Sequence, residues 1–208
     1  GPARDLAAVA ERVRVAHGEE VADDPRFTHV ILSGSALSIV DDHGFVPGLE
    51  ATVRDAHARG APIMGICYGS QMIARALLGR HHVRRNPAGL EVGWLATVCV
   101  SDEGGWFEGL PSPFRTWHYH RDEVCDLPRD FTVLASTAKC ATQAWWSAER
   151  RLFGTQFHPE MDAEEGNAIF RLDRAKLARD GVDAEALIAD TRDDGARTVI
   201  ERFLLRRW

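Results

Sequence analysis

No apolar run in this chain approaches the ~18 residues that a membrane-crossing helix needs. The opening Gly1-Pro2-Ala3-Arg4-Asp5 also lacks the basic-then-apolar order of a secretory leader. Basic charge is in deficit: 25 Lys and Arg against 31 Asp and Glu leave a net charge of −6. Nucleic acid is therefore not expected as a main partner, because phosphate binding needs a basic face. Cysteine is sparse. Cys67, Cys99, Cys125 and Cys140 include no C-x-x-C pair, and a chain of 208 residues does not need disulfides to hold its core. They are expected to be reduced thiols of a cytoplasmic protein. Repeats and low-complexity linkers are missing too. What is present, 45% apolar and 27% charged residues, is the composition of an ordinary globular domain.

Residues Asp5 to Glu20 carry apolar positions at helical spacing (Leu6, Val9, Ala10, Val13), and Asp23-Asp24-Pro25 reads as a turn. Thr28 to Leu32 and Pro62 to Ile66 are short, apolar and partly β-branched, as buried parallel strands are. Leu49 to Arg59, closed by Gly60, and Gln71 to Leu78, capped by Gly79, are expected helices. Five further strands follow with only turns between them: Glu91 to Val100, Phe114 to His118, Thr132 to Ser136, Thr142 to Trp146 and Phe153 to Phe157. From Asp162 the pattern is helical to the end, with breaks at Asp180-Gly181 and around Asp193-Asp194-Gly195. Strand–helix alternation followed by hairpins predicts a mixed sheet with a parallel centre and antiparallel additions. Such a domain should open on a strand, and this chain opens on a helix. Either the first strand has been lost from the chain or the sheet is one strand short.

The segment Pro62 to Leu78 carries the strongest chemical signal. A buried strand ends at Ile66, a helix begins near Tyr68, and Cys67 stands on the junction with glycines at −2 and +2. This is the cysteine form of the G-x-S-x-G elbow, in which a sharp turn lifts the nucleophile out of the sheet. The turn forces strained dihedrals on the nucleophile, and the glycines make room where side chains would collide. The helix N-terminus supplies free N–H groups and partial positive charge, which favour a thiolate and can bind an oxyanion. A cysteine nucleophile needs a base. Of nine histidines, His17 and His57 fall on solvated helix faces, and His81-His82 follow a helix end. His158 lies directly after a strand, where open α/β sheets place their sites, and Glu160 two residues on can accept from its second ring nitrogen.

Gly65-Ile66-Cys67-Tyr68-Gly69-Ser70-Gln71 and Gln156-Phe157-His158-Pro159-Glu160 resemble the two signature motifs of class I, triad-type glutamine amidotransferases. Ile31-Leu32-Ser33-Gly34-Ser35 resembles their oxyanion loop, and the segments 86–94 and 117–124 look like the GMP-synthase-like branch. The likeness runs from about Phe27 to Glu160. It implies a flavodoxin-like, three-layer α/β/α fold around a mixed, largely parallel central sheet. It also implies a Cys67–His158–Glu160 triad that hydrolyses the side-chain amide of L-glutamine through a thioester, with no cofactor. The N–H groups of Gly34, Ser35 and Tyr68 are then the expected oxyanion hole. Gln71 matches the glutamine-holding residue, and Tyr119 to Asp122 match the loop that grips the amino-acid end. Two departures stand out. Ser35-Ala36 replaces the usual Gly-Pro, and a serine there strains any glycine-only conformation. Arg121 replaces a small residue; close to the substrate, it either pairs with the α-carboxylate or signals a different substrate.

The expected organisation is a catalytic domain over 1–160 and a helical extension over 161–208, read mainly as a solvated cover. No synthetase fits in this length, so a separate partner that consumes the ammonia is implied. Two alternatives are a standalone γ-glutamyl amide or peptide hydrolase and a non-catalytic regulatory role. His118 and His120 alternate on a strand as a metal pair would, but no carboxylate or cysteine is evidently placed to complete a site, and no metal is expected. Trp106, Trp117, Trp145 and Trp146 are expected in the core.

Overall fold

The computed structural model describes residues 10–19 and 27–208. Most of the expected first helix and the Asp23–Pro25 turn lie partly or wholly outside them. Within 10–19 the only helical element is a 3-10 turn at Val15–His17, closed by Gly18 at φ 85°.

A seven-stranded sheet organises the molecule. In chain order its strands are β1 (Val30–Leu32), β2 (Ile63–Ile66), β4 (Glu91–Cys99), β5 (Phe114–His120), β7 (Thr132–Ser136), β8 (Ala144–Ser147) and β9 (Leu152–Thr155). The spatial order is β1-β2-β9-β8-β7-β4-β5. β1, β2 and β9 run parallel, and the remaining four pairings are antiparallel. The parallel strands therefore form one edge of the sheet rather than its centre, and the antiparallel strands make up the rest. Two strands escape sequence reading, β3 (Val83–Arg85) and β6 (Asp122–Val124), which pair only with each other. At three residues each they carry too little pattern for a period to register.

Side-chain alternation sends each central strand's residues to two different cores. Ile63, Trp145 and Leu152 pack with Val53 and Met72 on one face, against α1 (Val46–Ala58) and α2 (Tyr68–Leu77). Met64, Trp146 and Phe153 pack on the other with Trp106 and with Val199 and Phe203 of α6 (Thr198–Leu205). A third cluster joins Trp94 and Trp117 of the β4–β5 pair to Phe170, Leu177 and Ala184. Those three come from α3 (Ala163–Leu172), α4 (Arg174–Arg179) and α5 (Ala184–Ala189). The four tryptophans expected in the core are all buried. Each fully buried large side chain contributes about 1.5–3 kcal/mol relative to exposure. Local chemistry sets the helix starts. α1 begins three residues before Leu49 because Pro47 suits a first turn, and α3 begins on an Asp162–Glu165 capping box. Among the described residues no helix is long and apolar enough to cross a membrane.

Candidate active site

Cys67 joins β2 to α2 at φ 51° and ψ −107°, a conformation that side chains rarely adopt. Its N–H donates to the Thr155 carbonyl at 2.7 Å, and its own carbonyl accepts the first α2 hydrogen bond from Gln71 at 3.1 Å. The flanking glycines are sterically required. A Cβ on Gly65 would lie 2.4 Å from the Gly69 carbonyl carbon and the Ser70 nitrogen, and one on Gly69 would lie 2.1 Å from the Leu32 oxygen. The N–H groups of α2's first turn have no intrahelical acceptor, and they open beside the sulfur.

His158 follows β9 and is fixed by its N–H to the Trp117 carbonyl at 2.9 Å and by an edge-on ring contact with the Trp117 indole. Its Nδ1 lies 2.7 Å from Glu160 Oε1. Burial works against the imidazolium. The electrostatic pull of Cys67 and a hydrogen bond to it, reinforced by Glu160, overcome burial and push the pKa up to about 10. The proton thus stays on His158 through neutral pH. Glu160→Gln removes one of the raising influences, so the imidazolium should be lost at lower pH. The alkaline limb of the kcat/KM profile should then move down by on the order of one pH unit, read from rates between about pH 6 and 11. An unmoved limb would show that Glu160 does not tune His158.

Gly34 packs against both groups: a Cβ there would meet His158 Cε1 at 2.6 Å and Cys67 Cβ at 3.6 Å. Ser35 is not at positive φ; among described non-glycine residues only Cys67, Asp126 and Arg151 are. The serine therefore fits without the strain its identity suggested, and its Oγ accepts from the Leu37 N–H at 3.2 Å. The loop's far end is pinned at Ile39. Its N–H donates to Asp122 Oδ2 at 3.0 Å, and its carbonyl accepts from Arg75 at 2.5 Å. Ser38 Oγ also donates to Asp122 Oδ2, at 2.5 Å, and Arg85 pairs with Oδ1 at 3.1 Å.

The expected substrate-binding residues line one cavity of about 470 Å³ together with Cys67 and His158. Their polar heads are, however, committed to the protein. Gln71 Nε2 donates to the Asp122 carbonyl at 3.0 Å and to Gln156 Oε1 at 2.9 Å, and Gln156 Nε2 reaches Cys67 Sγ at 3.5 Å. Tyr119 donates to Asp173 at 2.8 Å, and Arg121 pairs with Asp180 at 2.5 Å. Asp122 holds the loop at Ser38 and Ile39 rather than presenting a free carboxylate.

A carboxylate does complete the His118–His120 pair. Glu91 stands opposite His120 in the β4–β5 register, and the three buried groups bring ligand-type atoms within 4.8 Å of one another. Most of their polar atoms bond within the protein, while His118 Nδ1 is buried without a hydrogen-bond partner. Glu91 accepts from Thr137 and Gln143, each at 2.6 Å, and lies 2.9 Å from His120 Nε2. Burial disfavours the Glu91 charge, but the bonds from His120 and Thr137 prevail and hold its pKa below the usual range. Burial, with His120 alongside, pushes His118 down to about 3 and keeps it neutral. His120 Nδ1 lies 3.1 Å from the Asp122 carbonyl, so this network braces the same loop that Gln71 holds.

Sequence reading missed Gln156 as a partner of the sulfur, and it missed Ile169, Asp173 and Lys176, which line the cavity from α3 and α4 and the residue between them. Gln156 lay inside a quoted motif, two residues before His158. The helical residues carried no local signal.

The family model described as "Glutamine amidotransferase class-I" matches residues 4–174. The glutamine-hydrolyzing GMP synthase of Syntrophomonas wolfei is 34% identical over 160 residues, covering 76% of this chain and 29% of its own. The chain thus spans under a third of that relative's length. From Sulfolobus acidocaldarius, one of the subunits of glutamine-hydrolyzing GMP synthase is 32% identical over 165 residues, covering 77% of this chain and 82% of its own. Among solved structures, a glutamine amidotransferase from Thermotoga maritima superposes with a TM-score of 0.77 over 92% of this chain and 83% of its own, at 24% identity, a likeness of fold.

Proposed function

The chain belongs to the class-I glutamine amidotransferases, and we propose that it hydrolyses the glutamine side-chain amide through a thioester on Cys67 and passes the ammonia to a separate synthetase. One observation carries the reading: the strained Cys67 elbow, the His158–Glu160 pair and the Gly34 backbone meet at a single point. Cys67 Sγ attacks the amide carbon, and the oxyanion forms against the N–H groups of Tyr68 and the Gly34-Ser35 loop. His158 gives its proton to the leaving nitrogen as the C–N bond breaks, and ammonia departs. The imidazole then takes a proton from water, whose oxygen attacks the thioester, and glutamate leaves as the thiol is restored. The balance is glutamine plus water to glutamate plus ammonia.

The partner rests on likeness, since the Sulfolobus relative is named as one of an enzyme's subunits. A second reading, hydrolysis of γ-glutamyl amides without a partner, draws on the cavity's volume of about 470 Å³, which falls in the range of sites that hold drug-sized ligands and leaves room for a substituent on the amide. A purely regulatory role has the complete Cys67–His158–Glu160 geometry against it. The test is glutamate release from glutamine and from N-substituted γ-glutamyl amides, comparing wild type with Cys67→Ala. Turnover of substituted amides but not glutamine would favour the second reading. Activity unchanged in Cys67→Ala would exclude both.

A further inference from the structure

We propose that Glu91, His118 and His120 form a zinc-binding site, with Glu91 Oε2, His118 Nδ1 and His120 Nε2 as the protein ligands. Such an ion takes no part in the amide chemistry at Cys67. All three residues are buried, and one ligand-type atom of each lies within 4.8 Å of the others. The β4–β5 pair brings them together. His118 and His120 alternate on β5 and so share a face, and Glu91 stands opposite His120 in the register.

The hydrogen bonds select the ligand atoms. A carbonyl oxygen only accepts, so the 3.1 Å contact with the Asp122 carbonyl puts a proton on His120 Nδ1. His120 Nε2 then faces Glu91 Oε2 at 2.9 Å, too far off line for a full hydrogen bond. In a neutral ring this sets a lone pair against a carboxylate oxygen, and either a proton or a metal ion relieves the clash. His118 decides between the two. Its Nε2 is engaged with Thr97 Oγ1 at 3.0 Å, and its Nδ1 is buried without a partner. A proton on His120 leaves that nitrogen orphaned, whereas a metal ion takes both nitrogens and the carboxylate together. Each imidazole then has its other nitrogen held by a neighbouring oxygen, as metal-binding histidines do. Two imidazoles and a carboxylate suit Zn2+, with a fourth position left for water. Zinc bonds of roughly 2.1 Å set tetrahedral ligands about 3.4 Å apart, so the widest separation closes by on the order of 1 Å. His120 also lines the Cys67 cavity, which gives the ion an entry path. Glu91 accepts from Thr137 and Gln143, so the ion would tie the 137–143 connection to the Asp122 carbonyl that also accepts from Gln71.

The test uses the full chain as Cys67→Ala, which removes the catalytic thiol as a competing ligand. The protein is unfolded in urea and refolded with Zn2+, so that the buried site fills as the fold closes. After dialysis against metal-free buffer about one zinc per chain should remain, and the urea midpoint should lie roughly 0.5 M or more above that of the chain refolded with EDTA. His118→Phe in the same background keeps a ring beside Phe157 but offers no ligand, and should lose both the zinc and the shift. Zinc retained in His118→Phe would place the ion elsewhere and overturn the proposal, as would no zinc in the protein with His118 intact. Where His118→Phe fails to fold, Co2+ bound to the Cys67→Ala chain decides. The strong visible bands of a four-coordinate ion, without the near-ultraviolet absorption of a thiolate ligand, support two imidazoles and a carboxylate. Thiolate absorption, the pale spectrum of a six-coordinate ion, or no bound cobalt overturns the site.

Discussion

Cys67→Ala should abolish glutamate release, with kcat falling by at least about 10⁴-fold, while the fold and the affinity for glutamine persist. The sulfur is the only group at the elbow able to form the thioester, and the remaining donors can stabilise an oxyanion only once something attacks. A companion variant separates chemistry from architecture. Cys67 holds φ 51° and ψ −107°, a region open to glycine and strained for any residue with a Cβ. Cys67→Gly should therefore be as inactive as Cys67→Ala yet more stable than it by on the order of 1 kcal/mol, read from urea unfolding midpoints at matched slopes. A glycine variant less stable than the alanine one would mean that the elbow stores no strain. Glutamate release surviving at more than about a hundredth of the wild-type rate in either variant would remove Cys67 from the reaction.

The elbow was legible in the sequence because every part of it is local: a buried strand, two glycines and a helix all lie between Pro62 and Leu78. His158 and Glu160 were legible for the same reason, standing at a strand end two residues apart. What stayed hidden depends on register and on long-range packing. Glu91 meets His120 only because β4 and β5 pair in one particular register. Asp122 reads as a substrate-loop residue, yet its carboxylate reaches back to Ser38 and Ile39, a contact that exists only once β6 sits beside the loop that follows β1. Asp173 and Lys176 belong to a mixed-charge stretch that resembles any solvated helix face. They become cavity residues because Phe170 and Leu177 anchor α3 and α4 on Trp94 and Trp117, a packing choice no local pattern announces.

Gly69→Ala should destabilise the fold through a single added methyl group, and its sign runs against helix propensity. Gly69 lies inside α2, where alanine is intrinsically favoured by about 1 kcal/mol. The methyl would, however, lie 2.1 Å from the Leu32 carbonyl oxygen and 2.6 Å from its carbon. Those are backbone atoms of β1, which is held to β2 by strand pairing and cannot swing aside as a side chain can. Relief requires α2 to retreat from β1 by roughly 1 Å, an overpacking strain of about 1–3 kcal/mol or more. The strain outweighs the propensity gain, so Gly69→Ala should unfold at lower urea concentration than wild type. The same retreat carries the Tyr68 N–H away from the Gly34-Ser35 loop. Because misplacing a catalytic group by ~1 Å costs on the order of a hundredfold in rate, kcat should fall by about that factor even where the variant is fully folded. Gly48→Ala is the control: it is also helical, a Cβ there meets nothing within 4 Å, and it should stabilise or leave the protein unchanged. Equal behaviour of the two variants would show that the close approach of α2 to Leu32 constrains neither the fold nor the site.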